Sequence, residues 1–262
     1  MSDDSQHSAP DLGMGRPHPA RIYDYLLGGK DNFPPDRAAA EQGLAAAPDV
    51  RDIALANRRF LVRVVRHLAG LGCASSSTSG PGSRPVPTCT RSRGGLPGRL
   101  RGHRSGGRQS RQGAAGQARG RAHARGDLRE PEAVLAEAGE LLDLGEPVAL
   151  LVVSVTHNVT DAEDPAGILA RYMKALAPGS YLAVSQMASD VSPERSAALA
   201  DVAARQRTTL LPRTHAEVLS QFGGLELLEP GLVQVPLWHP DEQEKGVDLS
   251  RVWTYGGVAL KA

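Results

Sequence analysis

The sequence predicts an α/β fold with a largely parallel central sheet. Two apolar runs, residues 147–155 and 180–184, are typical of strands that helices cover on both faces. Residues 164–176 between them have the character of a helix, and a strand, helix, strand order places parallel strands side by side. Three further strand-like runs indicate an antiparallel pair that finishes the sheet: residues 225–228, 231–237 and 252–260.

Helical patterns precede and follow these strands. The most regular one covers residues 50–71, where apolar residues recur at spacings of three and four. A shorter pattern beginning near Ala20 stops at Gly28-Gly29, as it would at a C-terminal cap. Further helices are predicted at residues 37–46, 131–142, 192–206 and 214–222, the last with Thr214 as its N-terminal cap.

Composition limits the classes of function. A chain of 262 residues and 27.6 kDa suits one α/β domain. The net charge of +1 gives no field that favours nucleic acid or an anionic membrane. Cys73 and Cys89 are the only cysteines, so neither a disulfide framework nor a zinc site is indicated. No run approaches the roughly 18 apolar residues of a spanning helix. We therefore expect a soluble, cytoplasmic protein.

Residues 73–126 stand apart from the rest of the chain. They contain no Asp, Glu or Lys, almost no aliphatic residue, and an excess of Gly, Ser, Pro and Arg. Such a composition cannot bury a core, so we expect a low-order segment and no strand directly after the helix at residues 50–71. The arginines from Arg84 to Arg125 could contact nucleic-acid phosphates, but they lack interleaved aromatics, which argues against nucleic-acid binding.

Four segments follow from these patterns. They are a disordered tail (1–19), a helical cap with the first helix of the domain (20–72), the low-order segment (73–126) and the C-terminal part of the domain (127–262).

A long motif in the cap resembles a known family. The run PARIYDYLLGGKDNF at residues 19–33, followed by Asp36-Arg37, is similar to the opening signature of an actinobacterial S-adenosyl methyltransferase family. The resemblance continues at residues 56–61, 127–131, 147–151, 164–167, 176–182, 224–227 and 229–233. It implies a Rossmann-like class I methyltransferase fold with a helical cap, S-adenosyl-L-methionine as cofactor and a small-molecule methyl acceptor.

The resemblance also implies cofactor-binding residues. In the cap these are Arg21, Tyr23, Tyr25, Gly28, Gly29, Asn32 and Phe33. Without the resemblance, this stretch is a capped helix, and Tyr23 and Tyr25 are equally suited to core packing and to ligand contact. Asp127 would accept a hydrogen bond from the adenine amino group, with Leu128 beside the ring. The alternative for Asp127 is an ordinary N-cap of the helix at residue 131.

His157 is the candidate catalytic residue. It follows the strand at residues 147–155 at its carboxyl end, the edge where α/β sheets bind ligands. It could act as a base or contact the substrate, and the alternative is a solvated loop residue. The family carries an aromatic residue after this histidine, and Asn158 stands there in this chain. Trp238 and Trp253 are more typical of packing than of a binding box.

The family's glycine turn has no counterpart in residues 73–126. Related methyltransferases place an aliphatic strand and a Gly-x-Gly turn after the helix at residues 50–71, and end the next strand in an acid. Out-of-frame reading of a GC-rich gene produces an excess of Ser, Arg, Gly and Pro. Regrouping the codons of residues 75–82 permits Phe-Leu-Asp-Ile-Gly-Thr-Gly, and residues 98–105 permit an apolar run with its acid. Since the family pattern resumes in register at Asp127, this frame-error hypothesis requires compensating insertions or deletions.

Two alternatives therefore remain open at the level of sequence. The segment is either out of frame or a genuine Arg/Gly-rich insertion. Correspondingly, the chain is either an active methyltransferase or a non-catalytic remnant that keeps part of the fold.

Overall fold

The computed structural model describes residues 15–71, 74–77 and 126–262. The first 14 residues of the predicted tail lie outside this range. So do Cys73, Cys89, the arginines from Arg84 to Arg125 and the second strand proposed at residues 98–105. The expectations for those residues therefore stay predictions.

Three helices form the N-terminal part of the structure: α1 (Pro19–Leu26), α2 (Pro34–Ala46) and α3 (Val50–Gly70). Proline begins α1 and α2, where its fixed φ suits the first helical turn. Gly28 has a φ of +74°, a left-handed conformation that ends α1 and that glycine adopts without strain. The predicted stop at Gly28 is thus confirmed.

The described strands form one mixed sheet. They are β1 (Ala74–Ser77), β2 (Val148–Val153), β3 (Tyr181–Met187), β4 (Glu226–Leu227), β5 (Val233–Gln234) and β6 (Thr254–Leu260). The order is β1-β2-β3-β6-β4, and β5 also pairs with β6. The first three strands are parallel, and β6 is antiparallel to its neighbours. The predicted parallel core with an antiparallel finish is confirmed.

Strand β1 corrects one expectation. Composition predicted no strand directly after α3, yet Ala74–Ser77 pairs in parallel with β2, from Ala74 opposite Val148 to Ser77 opposite Leu151. Parallel pairing uses main-chain N–H and C=O groups, so a strand can add to an apolar neighbour without an aliphatic run of its own.

Alternate residues of β2 face the two sides of the sheet, as the two-residue period of a strand requires. Leu150 and its even-numbered neighbours pack with the helices α4 (Pro131–Gly139) and α5 (Pro165–Ala175). Leu151 lies on the opposite side and packs with Phe60 of α3. The continuous apolar run of β2 is therefore explained by helices on both faces.

The helix α6 (Pro193–Arg205) packs against α2, whereas α7 (His215–Ser220) lies near the C-terminal strands. A hydrophobic cluster joins Leu26 of α1, Ile53 of α3, Leu199 of α6 and Trp253. Through Met187 and Ala188, this cluster places the N-terminal helices beside the carboxyl end of β3.

A buried ion pair fastens the C-terminal loops to α3. Arg63 is 4 % exposed, donates to Glu244 at 2.5 Å, and donates to the carbonyl oxygens of Val235 and Trp238. The Arg63 guanidinium thus makes these hydrogen bonds inside the protein. Trp238 and Trp253 are fully buried, which confirms that they pack in the core.

Candidate functional site

A cavity of about 770 Å³ lies at the carboxyl ends of β2 and β3. Its walls come from α1, α2, α3 and α6, from residues 153–159 after β2, and from residues 127–129 and 206–210. The volume falls in the range of about 300–1,000 Å³ that is usual for small-molecule sites. The location is also the one at which parallel α/β sheets bind ligands, because the loops after the strands converge there.

Asn57 connects the cap to the sheet at this edge. Its amide nitrogen donates to the Tyr23 hydroxyl at 3.1 Å and to the Ser154 hydroxyl at 2.6 Å, and its amide oxygen accepts from the Ser185 hydroxyl at 2.6 Å. Tyr23 in turn donates to the carbonyl oxygen of Ala54. Burial raises the pKa of the Tyr23 hydroxyl. Helices α1 and α3 and the ends of β2 and β3 are therefore held in one hydrogen-bonded network.

Ser154 adopts a left-handed backbone conformation at the end of β2, with a φ of +56°. A non-glycine residue in this region costs about 1–2 kcal/mol. The Ser154 amide donates to both the hydroxyl and the carbonyl oxygen of Ser185. These hydrogen bonds to β3 stabilise the strained conformation. Strained residues of this kind cluster at functional sites.

His157 lies in the short turn Thr156–Asn158 that follows β2, and it lines the cavity. Its Nδ1 is buried without a hydrogen-bond partner among the described residues. Burial, and then the charge of Arg213, lowers the pKa of this imidazole from 6.5 to about 4. The ring is therefore neutral at pH 7. The carbonyl oxygen of His157 accepts from the amide of Leu211 at 2.8 Å, which fixes the turn beside the loop after α6.

Asp127 and Arg129 form another part of the wall. The Asp127 carboxylate accepts from the Arg129 amide at 3.0 Å and from its guanidinium at 3.2 Å. Arg129 also donates to Glu163 and to the carbonyl oxygen of Asn158. The N-cap of α4 is Glu130, so Asp127 does not have the capping role that was its alternative. The Asp127 side chain is 42 % exposed and can accept a further hydrogen bond.

The structure brings six of the predicted residues together at the cavity: Tyr23, Gly28, Gly29, Asp127, Leu128 and His157. Gly29 approaches Asp24 so closely that a Cβ atom there would lie 2.1 Å from the Asp24 carboxylate. A residue with a side chain at position 29 would therefore clash with Asp24, which explains the glycine there. Leu128 is 5 % exposed and also belongs to the core under α4.

The other four predicted residues lie behind the lining. Arg21 pairs with the buried Asp36 at 2.7 Å and covers the Phe33 ring at 5.5 Å. Tyr25 donates to Glu41 at 2.5 Å. Asn32 donates to the carbonyl oxygen of Gly29 at 3.0 Å, and so supports the turn that does line the cavity. Their contacts in the structure are with the protein, and their role towards a cofactor stays a prediction.

Sequence reasoning missed the importance of Asn57. It is not among the site residues predicted from the sequence, yet Asn57 is 1 % exposed. A signal was present, because Asn57 lies four residues after Ile53 and four before Leu61, on the apolar stripe of α3. Arg58 lines the cavity, and Arg59 pairs with Glu244 at 2.7 Å.

The sheet, the helical cap and the cavity define an α/β protein with a cavity of small-molecule size at the carboxyl edge of its strands. A family model described as S-adenosyl methyltransferase matches residues 5–78 and 109–262. The chain therefore belongs to the S-adenosyl methyltransferase family, whose members are methyltransferase enzymes. The resemblance seen in the cap motif is confirmed.

Two solved structures extend this likeness. A DUF574 family protein from Streptomyces avermitilis MA-4680 is 32 % identical, with a TM-score of 0.80 over 95 % of this chain and 99 % of that one. A candidate methyltransferase from Thermobifida fusca YX is 28 % identical, with a TM-score of 0.76 over 96 % and 98 % of the two chains. No curated protein matches the sequence with significance. Among the described residues, no helix is both long and apolar enough to cross a bilayer.

Proposed function

We propose that this chain binds S-adenosyl-L-methionine in the cavity and catalyses transfer of its methyl group to a small-molecule acceptor. One observation carries the proposal. In a member of this family, a cavity at the carboxyl edge of the parallel strands is lined by a neutral histidine, whose Nδ1 is buried without a hydrogen-bond partner among the described residues, and by a carboxylate that is 42 % exposed. A buried polar group without a partner calls for an explanation, and a catalytic role is one such explanation.

The described residues fit the cofactor. The Asp127 carboxylate is placed to accept from an adenine amino group, and the apolar Leu128 beside it suits the ring. The main chain at Gly28 and Gly29 approaches the cavity without side chains, so it can contact the ligand closely. Carboxylates of Asp24 and Asp31 also line the cavity and would favour the positive charge of a sulfonium.

Methyl transfer depends mainly on positioning and on exclusion of water. The bound cofactor would supply an electrophilic methyl group. The Asn57 network fixes Tyr23 and the end of β2 relative to each other. His157 would accept the proton that the acceptor loses, since a neutral imidazole is available as an acceptor at pH 7.

Isothermal titration of the full chain with S-adenosylmethionine and its demethylated product, S-adenosylhomocysteine, tests the proposal. We expect micromolar binding of both. Asp127→Asn should weaken the product about tenfold or more, because a hydrogen bond to a charged acceptor is worth about 1.5–3 kcal/mol. Asp201→Asn, on the exposed face of α6, is the matched control and should bind like the parent. Absence of binding by a well-folded sample would overturn the proposal.

A second candidate is a non-catalytic remnant of the same fold. It is favoured by the gap in the family match, since residues 79–108 are the internal stretch that the family model leaves out. Nucleotide sequencing separates the two origins of this stretch. Compensating insertions or deletions on either side would support the frame-error hypothesis, and an uninterrupted frame would support a genuine insertion.

A further inference from the structure

Part of the cavity wall is rich in apolar residues. Helices α2, α3 and α6 and the loop after α6 contribute small or aliphatic side chains to it. We call this part the apolar chamber, and its walls include Ala40, Gly43, Ile53, Leu199, Ala203 and Leu210. Three of these six residues are alanine or glycine, which leaves space between the helices. At Gly43 a Cβ atom would lie 3.3 Å from Leu199 Cδ1, so α2 and α6 approach closely and close the chamber there.

Polar groups near the chamber are already used by the protein. Gln206 donates to the carbonyl oxygen of Ala39 at 3.2 Å and to Gln42 at 3.1 Å. The Thr208 hydroxyl donates to the carbonyl oxygen of Ala203 at 3.1 Å. Arg58 and Arg207 also line the cavity, but both are exposed, so water screens their charges. A charged ligand in the chamber would therefore lose its hydration without gaining a buried counter-ion there.

His157 stands where the chamber meets the strand ends. The hydrogen bond from the Leu211 amide to the His157 carbonyl oxygen, at 2.8 Å, places the chamber residue Leu210 next to this turn. An apolar molecule in the chamber would thus present one end to the imidazole and to the ends of β2 and β3. The chamber holds the body of such a molecule, and His157 meets its polar group.

We propose that the methyl acceptor is a small, uncharged aromatic molecule that binds in the apolar chamber and presents a phenolic hydroxyl group to His157. This inference rests on the proposed function. The phenolic proton, whose ordinary pKa is about 10, becomes strongly acidic as the oxygen bonds to the methyl carbon, so it can pass to an imidazole of low pKa during the transfer itself. The O–H bond breaks and its proton moves to a ring nitrogen of His157. An O–CH₃ bond forms as the S–CH₃ bond breaks, and its electron pair stays on sulfur.

Three naphthalene probes of similar size test the charge selectivity of the chamber. They are 2-naphthol, 2-naphthoate and 2-naphthylmethylammonium, titrated into the full chain at pH 7. We expect 2-naphthol to bind at least tenfold more tightly than either ion. Equal or tighter binding of a charged probe would overturn the inference, and so would the absence of saturable 2-naphthol binding at millimolar concentration.

A matched pair of variants tests the location. Leu210→Trp fills the chamber and should weaken 2-naphthol binding about tenfold or more. Leu219→Trp adds the same side chain on α7, at a residue that is 41 % exposed and outside the cavity lining, and should leave the affinity unchanged. Unchanged affinity in both variants would place the binding site elsewhere. If Leu210→Trp does not fold, the comparison of the three probes on the parent chain still decides the inference.

Titration with S-adenosylhomocysteine keeps the two proposals distinguishable. Binding of S-adenosylhomocysteine without selectivity for 2-naphthol overturns the acceptor inference alone. Selective binding of 2-naphthol without S-adenosylhomocysteine binding supports the chamber as a ligand site and overturns the proposed function.

Discussion

Replacement of His157 by glutamine is expected to make the fold less sensitive to mild acid. The imidazole is held neutral by burial and by the charge of Arg213, which lower its pKa from 6.5 to about 4 in the folded state. The unfolded chain binds a proton at His157 below pH 6.5, and the folded protein does not until about pH 4. Stability therefore falls as the pH drops through this window, since the unfolded state binds more protons. Glutamine has no such proton to bind.

The size of the effect follows from the two pKa values. Between pH 7 and pH 5 the linkage amounts to about 2 kcal/mol of lost stability, taking about 1.36 kcal/mol per pKa unit. Other groups titrate over the same range, but they do so in both proteins and cancel in the difference. Urea unfolding of the parent and of His157→Gln at pH 7 and pH 5 measures this difference in lost stability. Equal losses of stability in the two proteins would show that His157 is hydrated or paired, and would remove its role as a neutral proton acceptor.

Two further substitutions test the buried polar contacts of α3, each by urea unfolding. Asn57→Ala should reduce the free energy of unfolding by about 2–3 kcal/mol, because it leaves buried hydroxyl groups without their partner; a loss below 0.5 kcal/mol would contradict the network. Glu244→Ala leaves Arg63 as an unpaired buried charge and should cost about 3–5 kcal/mol. Arg66→Ala, which breaks a pair whose arginine is 69 % exposed, is the control and should cost less than about 1 kcal/mol.

Local patterns predicted most of the fold. Some features can be predicted from residues that are close in sequence, and the structure confirms them. They are the helical period of α3, the buried strands β2 and β3, and the end of α1 at Gly28. Thr214 caps α7 through a hydrogen bond from the amide of Glu217, as its position before the helix predicted. Strand β1 could not be predicted in this way, because its pairing depends on β2 and its own residues carry no apolar signal.

Long-range contacts explain what sequence reasoning missed at the site. Asn57 is buried because its partners Ser154 and Ser185 lie 97 and 128 residues further along the chain. No local pattern indicates that these three polar side chains meet. The different positions of Tyr23 and Tyr25, by contrast, follow from helix geometry. Two residues apart on α1, they point about 200° apart, so only one can face the cavity. Tyr23 lines it, and Tyr25 bonds to Glu41.

The part of the site that the structure describes does not depend on the unusual segment for its contacts. The Asn57 network and the Arg63–Glu244 pair both join α3 to residues after position 126. The apolar chamber is likewise formed by α2, α3, α6 and the loop after α6. We therefore expect the chamber and the neutral state of His157 to be present under either explanation of residues 73–126. Cofactor affinity differs between the two explanations, because the family's glycine turn belongs to that segment. A chain that binds 2-naphthol but not S-adenosylhomocysteine would be the signature of a fold that kept its apolar chamber and lost its cofactor loop.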